Sequence, residues 1–132
     1  MSSTRRGYDL LAPRFDRTPF RTPDVIVDVL RDHLGRVEGD VLDLCCGTGA
    51  ITAMARQITD GEVVGVDFSP GMLDVARKAV PGATFLERDA RELDLEESFD
   101  LVLSSGAFGH FTVPQQPLLL ANVHRALRPG GR

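Results

Sequence analysis

Apolar residues along this chain follow two alternating rhythms. Short apolar runs occur at residues 40–46, 62–67, 83–87 and 99–104, each the length of a strand. Val41, Leu42 and Leu44 are apolar in both registers, as a parallel strand covered on both faces requires. Between these runs the spacing becomes helical. Ile51, Met54, Ala55 and Ile58 share one face of a helix over 49–59. Met72, Leu73, Ala76 and Ala79 do so after Ser69-Pro70, where a capping hydroxyl precedes a proline. Leu119, Leu120, Val123 and Leu127 predict a helix from about Pro114 to the break at Pro129-Gly130-Gly131. Upstream, Thr22-Pro23-Asp24 predicts a helix start capped by Thr22. Val25, Ile26, Val29, Leu30 and Leu34 form its expected inner stripe, and Gly35 its stop. Residues 1–21 show no clean period and predict a short helix or lid.

Strands that alternate with helices build a doubly wound α/β sheet with right-handed crossovers. The expectation is a Rossmann-like, single-domain unit over residues 1–132, about four parallel strands in order 3-2-1-4, with 1–21 as an N-terminal arm or lid. In 132 residues, 42% of them hydrophobic, one core is the natural outcome. A net charge of −4 argues against nucleic acid as a dedicated partner. Arg5, Arg6, Arg14, Arg17 and Arg21 interleave with Asp9, Asp16, Asp24 and Asp28, which predicts a solvated mixed surface. No apolar run is long enough for a membrane span or a secretory leader, so no membrane association is expected. Adjacent Cys45 and Cys46 point to opposite faces of a strand and cannot pair. Two reduced thiols in a cytoplasmic protein are the expectation.

The polar residues that interrupt the apolar runs cluster at strand ends. Gly47 and Gly49 form a turn between strand one and a helix N-terminus, which presents free N–H groups to a ligand. Asp67 closes strand two about 20 residues later, the spacing at which a carboxylate meets ribose hydroxyls. Asp89 follows strand three and suits an exocyclic amine, unless Arg88 or Arg91 pairs with it. Phe68 and Met72 could hold a planar base between them. A nucleoside ligand follows from these features together. Asp43, an acid within an apolar strand, is costly without a partner and suits a ligand bearing an ammonium group. The run Gly47-Thr48-Gly49-Ala50-Ile51-Thr52 lacks the third glycine of a dinucleotide site, and Asp43 would oppose a pyrophosphate. An NAD-binding oxidoreductase is therefore disfavoured.

Val41–Ala50 resembles motif I of the class I S-adenosylmethionine-dependent methyltransferases. Val63–Asp67, Arg88-Asp89-Ala90 and Phe99–Ser105 are similar to their next three motifs, and Leu127–Gly131 to the turn before their fifth strand. Residues 8–131 are covered in order. The nearest likeness is the small-molecule group that includes the ubiquinone and menaquinone C-methyltransferases. There, a segment similar to Tyr8-Asp9 to Phe15-Asp16 closes over the cofactor. The resemblance implies S-adenosyl-L-methionine as cofactor and S-adenosyl-L-homocysteine as product. It places Asp43, Gly47 and Gly49 at the methionine end and Asp67 on the ribose, with Cys45 and Thr48 as further cofactor-binding residues of the same turn. Asp89 and Ala90 fall at the adenine and Ser104 near the sulfonium, and Tyr8, Phe68 and Met72 are further expected cofactor contacts. Cys45 replaces the commoner glycine, and slightly tighter packing is expected. In-line methyl transfer to a small-molecule acceptor is the implied reaction, with His110 the one candidate base after strand four. His33 and His124 are expected on the surface, and no metal site is expected.

The family fold has further strands beyond the point where residue 132 falls, so a truncated enzyme with its C-terminal strands missing is the expectation. Strand four would then present a bare apolar edge, which predicts a homodimer across it. A non-catalytic nucleoside-binding or assembly module is the alternative function.

Overall fold

The computed structural model describes residues 3–132. Helix α1 spans Ser3–Leu11 and runs directly into a 3-10 segment, Ala12–Arg17. Helix α2 (Asp24–Leu34) leads to strand β1 (Val41–Leu44). Then follow α3 (Ala50–Ile58), β2 (Val63–Asp67), α4 (Pro70–Ala79), β3 (Thr84–Glu87), β4 (Leu101–Leu103) and α5 (Gln116–Ala126). The four strands are parallel and ordered β3-β2-β1-β4. The expected doubly wound sheet is thus the observed one.

Alternation along β1 decides which helices cover which face. Val41 faces α3 and the inner side of α2, together with Ile51, Met54, Ala55, Ile58, Val27, Leu30 and Leu34. Leu42 and Leu44 face the other way, onto Leu93, Phe99 and the α5 residues Leu119 and Ala126. Beside the first layer, α4 contributes Leu73 and Ala76, and Val80 just past its end joins them around Phe85 and Cys46. Gly65 of β2 lies where any side chain would meet this cluster: a Cβ there would sit 2.7 Å from the Phe85 ring and 3.0 Å from Cys46 Sγ. Gly65→Ala is expected to cost about 1–3 kcal/mol through overpacking, read as a lower urea midpoint at unchanged slope.

Several sequence expectations are corrected. Pro23, not Thr22, occupies the N-cap of α2, and no side chain caps it. The core-facing stripe of α2 is half-buried and rotated from the predicted one: Leu30 and Leu34 face the core as expected and Val27 joins them, whereas Val25 and Val29 are 64% and 59% exposed. Ala79 and Leu120 also face solvent, and the buried positions of α5 are Leu119, Asn122 and Ala126. Asn122 donates its amide to the carbonyls of Ala90 and Arg91, tying α5 to the turn after β3. The loop at 105–110 contains a 3-10 turn, Phe108–His110.

The outer edge of β4 is not bare. Phe99 bridges Leu127, the Val102 N–H donates to the Arg132 carbonyl (2.9 Å), and the Arg132 N–H donates to the Asp100 carbonyl (3.1 Å). Arg128 anchors this segment by donating to Asp40 Oδ2 (2.8 Å) and Asp100 Oδ2 (2.6 Å). The residues after α5 therefore occupy the edge on which the expected homodimer was to pair. Among the described residues, no helix is long and apolar enough to cross a membrane.

Candidate functional site

The strands all end on one rim, and a cavity of about 970 Å³ opens there. Its floor is the turn after β1. Cys45 has φ +60°, Gly47 +55° and Gly49 +94°, so this turn needs three left-handed residues within five positions. That explains why glycine suits position 45. A side chain there costs roughly 1–2 kcal/mol, so the thiol brings backbone strain together with packing. Both thiols are free, Cys46 buried and Cys45 half-buried. Burial, with Asp67 next in effect, pushes Cys45 up to about 12, so it stays a neutral thiol.

Asp67 is the hinge of the site. Its Oδ2 accepts the Gly47 N–H and its Oδ1 the Ser69 N–H, both at 2.9 Å. One carboxylate thus joins the glycine turn to the start of α4. Ser69 also caps α4, its hydroxyl accepting the Met72 N–H at 3.2 Å. Burial raises the Asp67 pKa, and the N–H bonds from Ser69 and Gly47 oppose that rise. Two lone-pair sites per oxygen leave it able to accept further bonds from a diol.

Asp43 is 1% exposed and accepts the Thr52 hydroxyl at 2.7 Å. Burial drives its pKa up to about 7, with Thr52 opposing and Asp67 adding to the rise. It is therefore a buried acid poised to ionise when a cation arrives. At the far end, Asp89 accepts from Arg91 through N (2.9 Å), Nε (2.9 Å) and a terminal nitrogen (2.5 Å). That guanidinium holds the Asp89 carboxyl below its ordinary value. The alternative of an ion-paired Asp89 is thus realised, but the residue still lines the cavity beside Ala90.

Of the predicted residues, Tyr8, Asp43, Cys45, Gly47, Thr48, Asp67, Phe68, Met72, Asp89, Ala90 and His110 line this one cavity. Ser104 and Gly49 do not. Ser104 sits just past β4 and is exposed, and Ser105 and Gly106 take its place in the wall. Gly49 instead lets α3 approach α4: a Cβ there would lie 3.3 Å from Ala76 Cβ. His33 and His124 are exposed, as expected.

Two acids of the N-terminal segment were read as surface charge within a segment expected to close over the cofactor, with no partner assigned to either. Asp16 accepts the Thr48 hydroxyl at 2.7 Å, and Asp9 accepts the Ser69 hydroxyl at 2.6 Å and the Gly71 N–H at 3.0 Å. The available sign was the repeat Tyr8-Asp9 and Phe15-Asp16, seven residues apart, which returns both acids to one side of a helical segment. The aromatic partners form a wall: Tyr8 lies edge-on to Phe68 and His110 and near Phe15. Its hydroxyl is 3.1 Å from His110 Nε2. Burial and the Asp67 charge raise the phenol's pKa, so it is a neutral donor or acceptor. Leu11, Phe15, Pro19, Phe20 and Phe111 make the mouth apolar.

Residues 41–131 match the methyltransferase domain family. An uncharacterized methyltransferase of Synechocystis sp. is 44% identical over 92 residues, which are 69% of this chain and 43% of the relative. A demethylmenaquinone methyltransferase of Symbiobacterium thermophilum is 37% identical over 101 residues, 70% of this chain and 39% of the relative. The chain thus spans about two-fifths of the length of these curated relatives. Among solved structures, a DhpI-SAM-HEP complex superposes with a TM-score of 0.84 at 25% identity, covering 98% of this chain and 61% of that one. An S-adenosylmethionine-dependent methyltransferase from Mesorhizobium loti gives 0.69 at 38% identity, covering 79% and 48%.

Proposed function

Because the chain belongs to the S-adenosylmethionine-dependent methyltransferase family, we propose that its cavity binds S-adenosylmethionine and directs methyl transfer to a small-molecule acceptor. The observation that carries this reading is Asp67, held by the Gly47 and Ser69 N–H groups at the junction of the glycine turn and α4. A carboxylate fixed from both sides meets a ribose diol with little further ordering. Asp43 is placed to receive a cationic methionine end, with the exposed N-terminus of α3 beside it for a carboxylate. Phe68 and Met72 flank the space for the base, and Asp89 and Ala90 close its far end.

Bound S-adenosylmethionine supplies a methyl group already activated on a sulfonium. The protein's part is then orientation and exclusion of water. Tyr8 and Phe68 wall the cofactor space, and the apolar mouth around Phe15, Phe20 and Phe111 admits the acceptor. His110 can take an acceptor proton at Nδ1 in the tautomer whose Nε2–H donates to the Tyr8 oxygen. Attack in line with the methyl–sulfur bond follows from an acceptor seated in that mouth.

Calorimetry tests the cofactor half of the reading. S-adenosylhomocysteine should bind at micromolar concentration, and NADH at least about 100-fold more weakly, since the glycine turn lacks a pyrophosphate cradle. Equal affinities would sink the assignment. Binding followed by no transfer to any member of a small-molecule acceptor panel would favour the non-catalytic module.

A further inference from the structure

No residue of helix α1 is fully buried, yet the helix is held down at chosen points. Its Asp9 carboxylate accepts both the Ser69 hydroxyl (2.6 Å) and the Gly71 N–H (3.0 Å) at the start of α4. Gly71 permits the close approach: a Cβ there would lie 3.1 Å from the Cα and the carbonyl oxygen of Asp9 and 3.3 Å from Ala12 Cβ. Ser69 is the same residue whose N–H donates to Asp67 Oδ1. A continuous path of hydrogen bonds thus runs from the N-terminal segment to the carboxylate at the centre of the site. The bond to Ser69 is also the largest influence holding the Asp9 carboxyl below its ordinary value, in keeping with a charged acceptor.

We propose that Asp9 is a positioning residue: its docking on Ser69 and Gly71 fixes the turn that aims Asp67, so that seating of α1 and occupation of the cavity favour one another. This rests on the reading of the cavity as a nucleoside site. The physical basis is reciprocity. If α1 docks better on the occupied protein, the ligand binds better to the docked one by the same factor. Tyr8, carried by α1, lines the cavity, so seating the helix also completes the wall. Because no residue of α1 is fully buried, its release exposes little of the core.

The test combines affinity with proteolysis on the full chain. Asp9→Ala is expected to weaken S-adenosylhomocysteine binding about tenfold, the loss of one or two bonds to a charged acceptor. Asp9→Asn, which keeps an acceptor oxygen, should recover most of that loss. In the wild type, saturating S-adenosylhomocysteine should slow tryptic cleavage after the exposed Arg14 and Arg17 about tenfold, and in Asp9→Ala less than twofold. Gly71→Ala leaves every side chain of the path in place and displaces α1 sterically, so it should repeat the Asp9→Ala result in a protein that folds. Unchanged affinity in both variants, with ligand protection intact, would overturn the proposal. Faster cleavage at unchanged affinity would also overturn it, leaving Asp9 a merely structural tether. If wild type and Asp67→Ala bind alike, it is the nucleoside reading that fails instead.

Discussion

Asp67→Ala is expected to abolish measurable binding of S-adenosylhomocysteine, a loss of at least about 100-fold. Each hydrogen bond from a neutral donor to a charged acceptor contributes roughly 1.5–3 kcal/mol, and a ribose diol offers two. The variant also orphans the Gly47 and Ser69 N–H groups, so the turn and the start of α4 lose their common anchor. Two unpartnered N–H groups cost about 1–3 kcal/mol each where water cannot reach them. The expected picture is a folded but less stable protein with no binding isotherm. Circular dichroism and the thermal midpoint separate the two effects. Asp67→Asn is the sharper control, because its amide can accept one of those N–H bonds but confronts the other with a donor. A folded Asp67→Ala protein that binds within threefold of the wild type would remove Asp67 from the site.

The second large effect concerns pH and follows from Asp43. In the native protein its carboxyl titrates at about 7, because burial disfavours the charge. In the unfolded chain it titrates near 4. Between those values the native state holds a proton that the unfolded state has released. Stability therefore falls as pH rises from about 4 to 7 and levels off above 7, by a few kcal/mol in all. Asp67, also raised by burial, contributes with the same sign. Asp9, Asp40 and Asp89 have lowered values; their contribution is complete above pH 4 and is lost only under more acid conditions. The urea midpoint of the unliganded protein should thus be higher at pH 5.5 than at pH 7.5, and Asp43→Asn should remove most of that difference. Ligand binding should run the other way. A cationic methionine end favours the ionised acid, so affinity should drop several-fold on going from pH 7.5 to 6. A midpoint that is flat or rising with pH over this range would refute the assignment.

The strands and the order of the sheet were legible because their residues obey one rule at a time. Val41, Leu42 and Leu44 are apolar whichever way they point, and Val63–Asp67 is β-branched up to the acid that ends it. The glycine turn and its two acids were legible for a similar reason: a charge or a missing side chain in an apolar run is an exception that must be explained. Helix α2 was harder. Val25, Ile26, Val27, Val29 and Leu30 are apolar around most of the helix, so periodicity alone could not choose the face, and the tertiary contact of Val27 and Leu30 with α3 chose it. Asp9 and Asp16 escaped because ionic residues beside arginines read as surface, whereas each finds a hydroxyl on another element, 60 and 32 residues away. Ser104 and Ser105 differ by one position at the end of a strand, where one residue more or less reverses the side chain. Sequence likeness fixes such an end only to within a residue.

Sheet order has a consequence for the sequence of folding events. The ladder from β1 to β2 joins Val41 to Val63, and that from β2 to β3 joins Val64 to Thr84. The partner of Val41 on the other side is Leu101, with Asp40 bound to Asp100 sixty residues away. Closing a loop three times as long costs about 1 kcal/mol more in chain entropy. Three strands with α3 and α4 between them can therefore assemble from short closures, with β4 and α5 joining a surface that already exists. Asp43, Asp67 and Asp89 all lie on the part of the chain that those short closures gather, so the cradle can form without waiting for the long closure that brings in the wall.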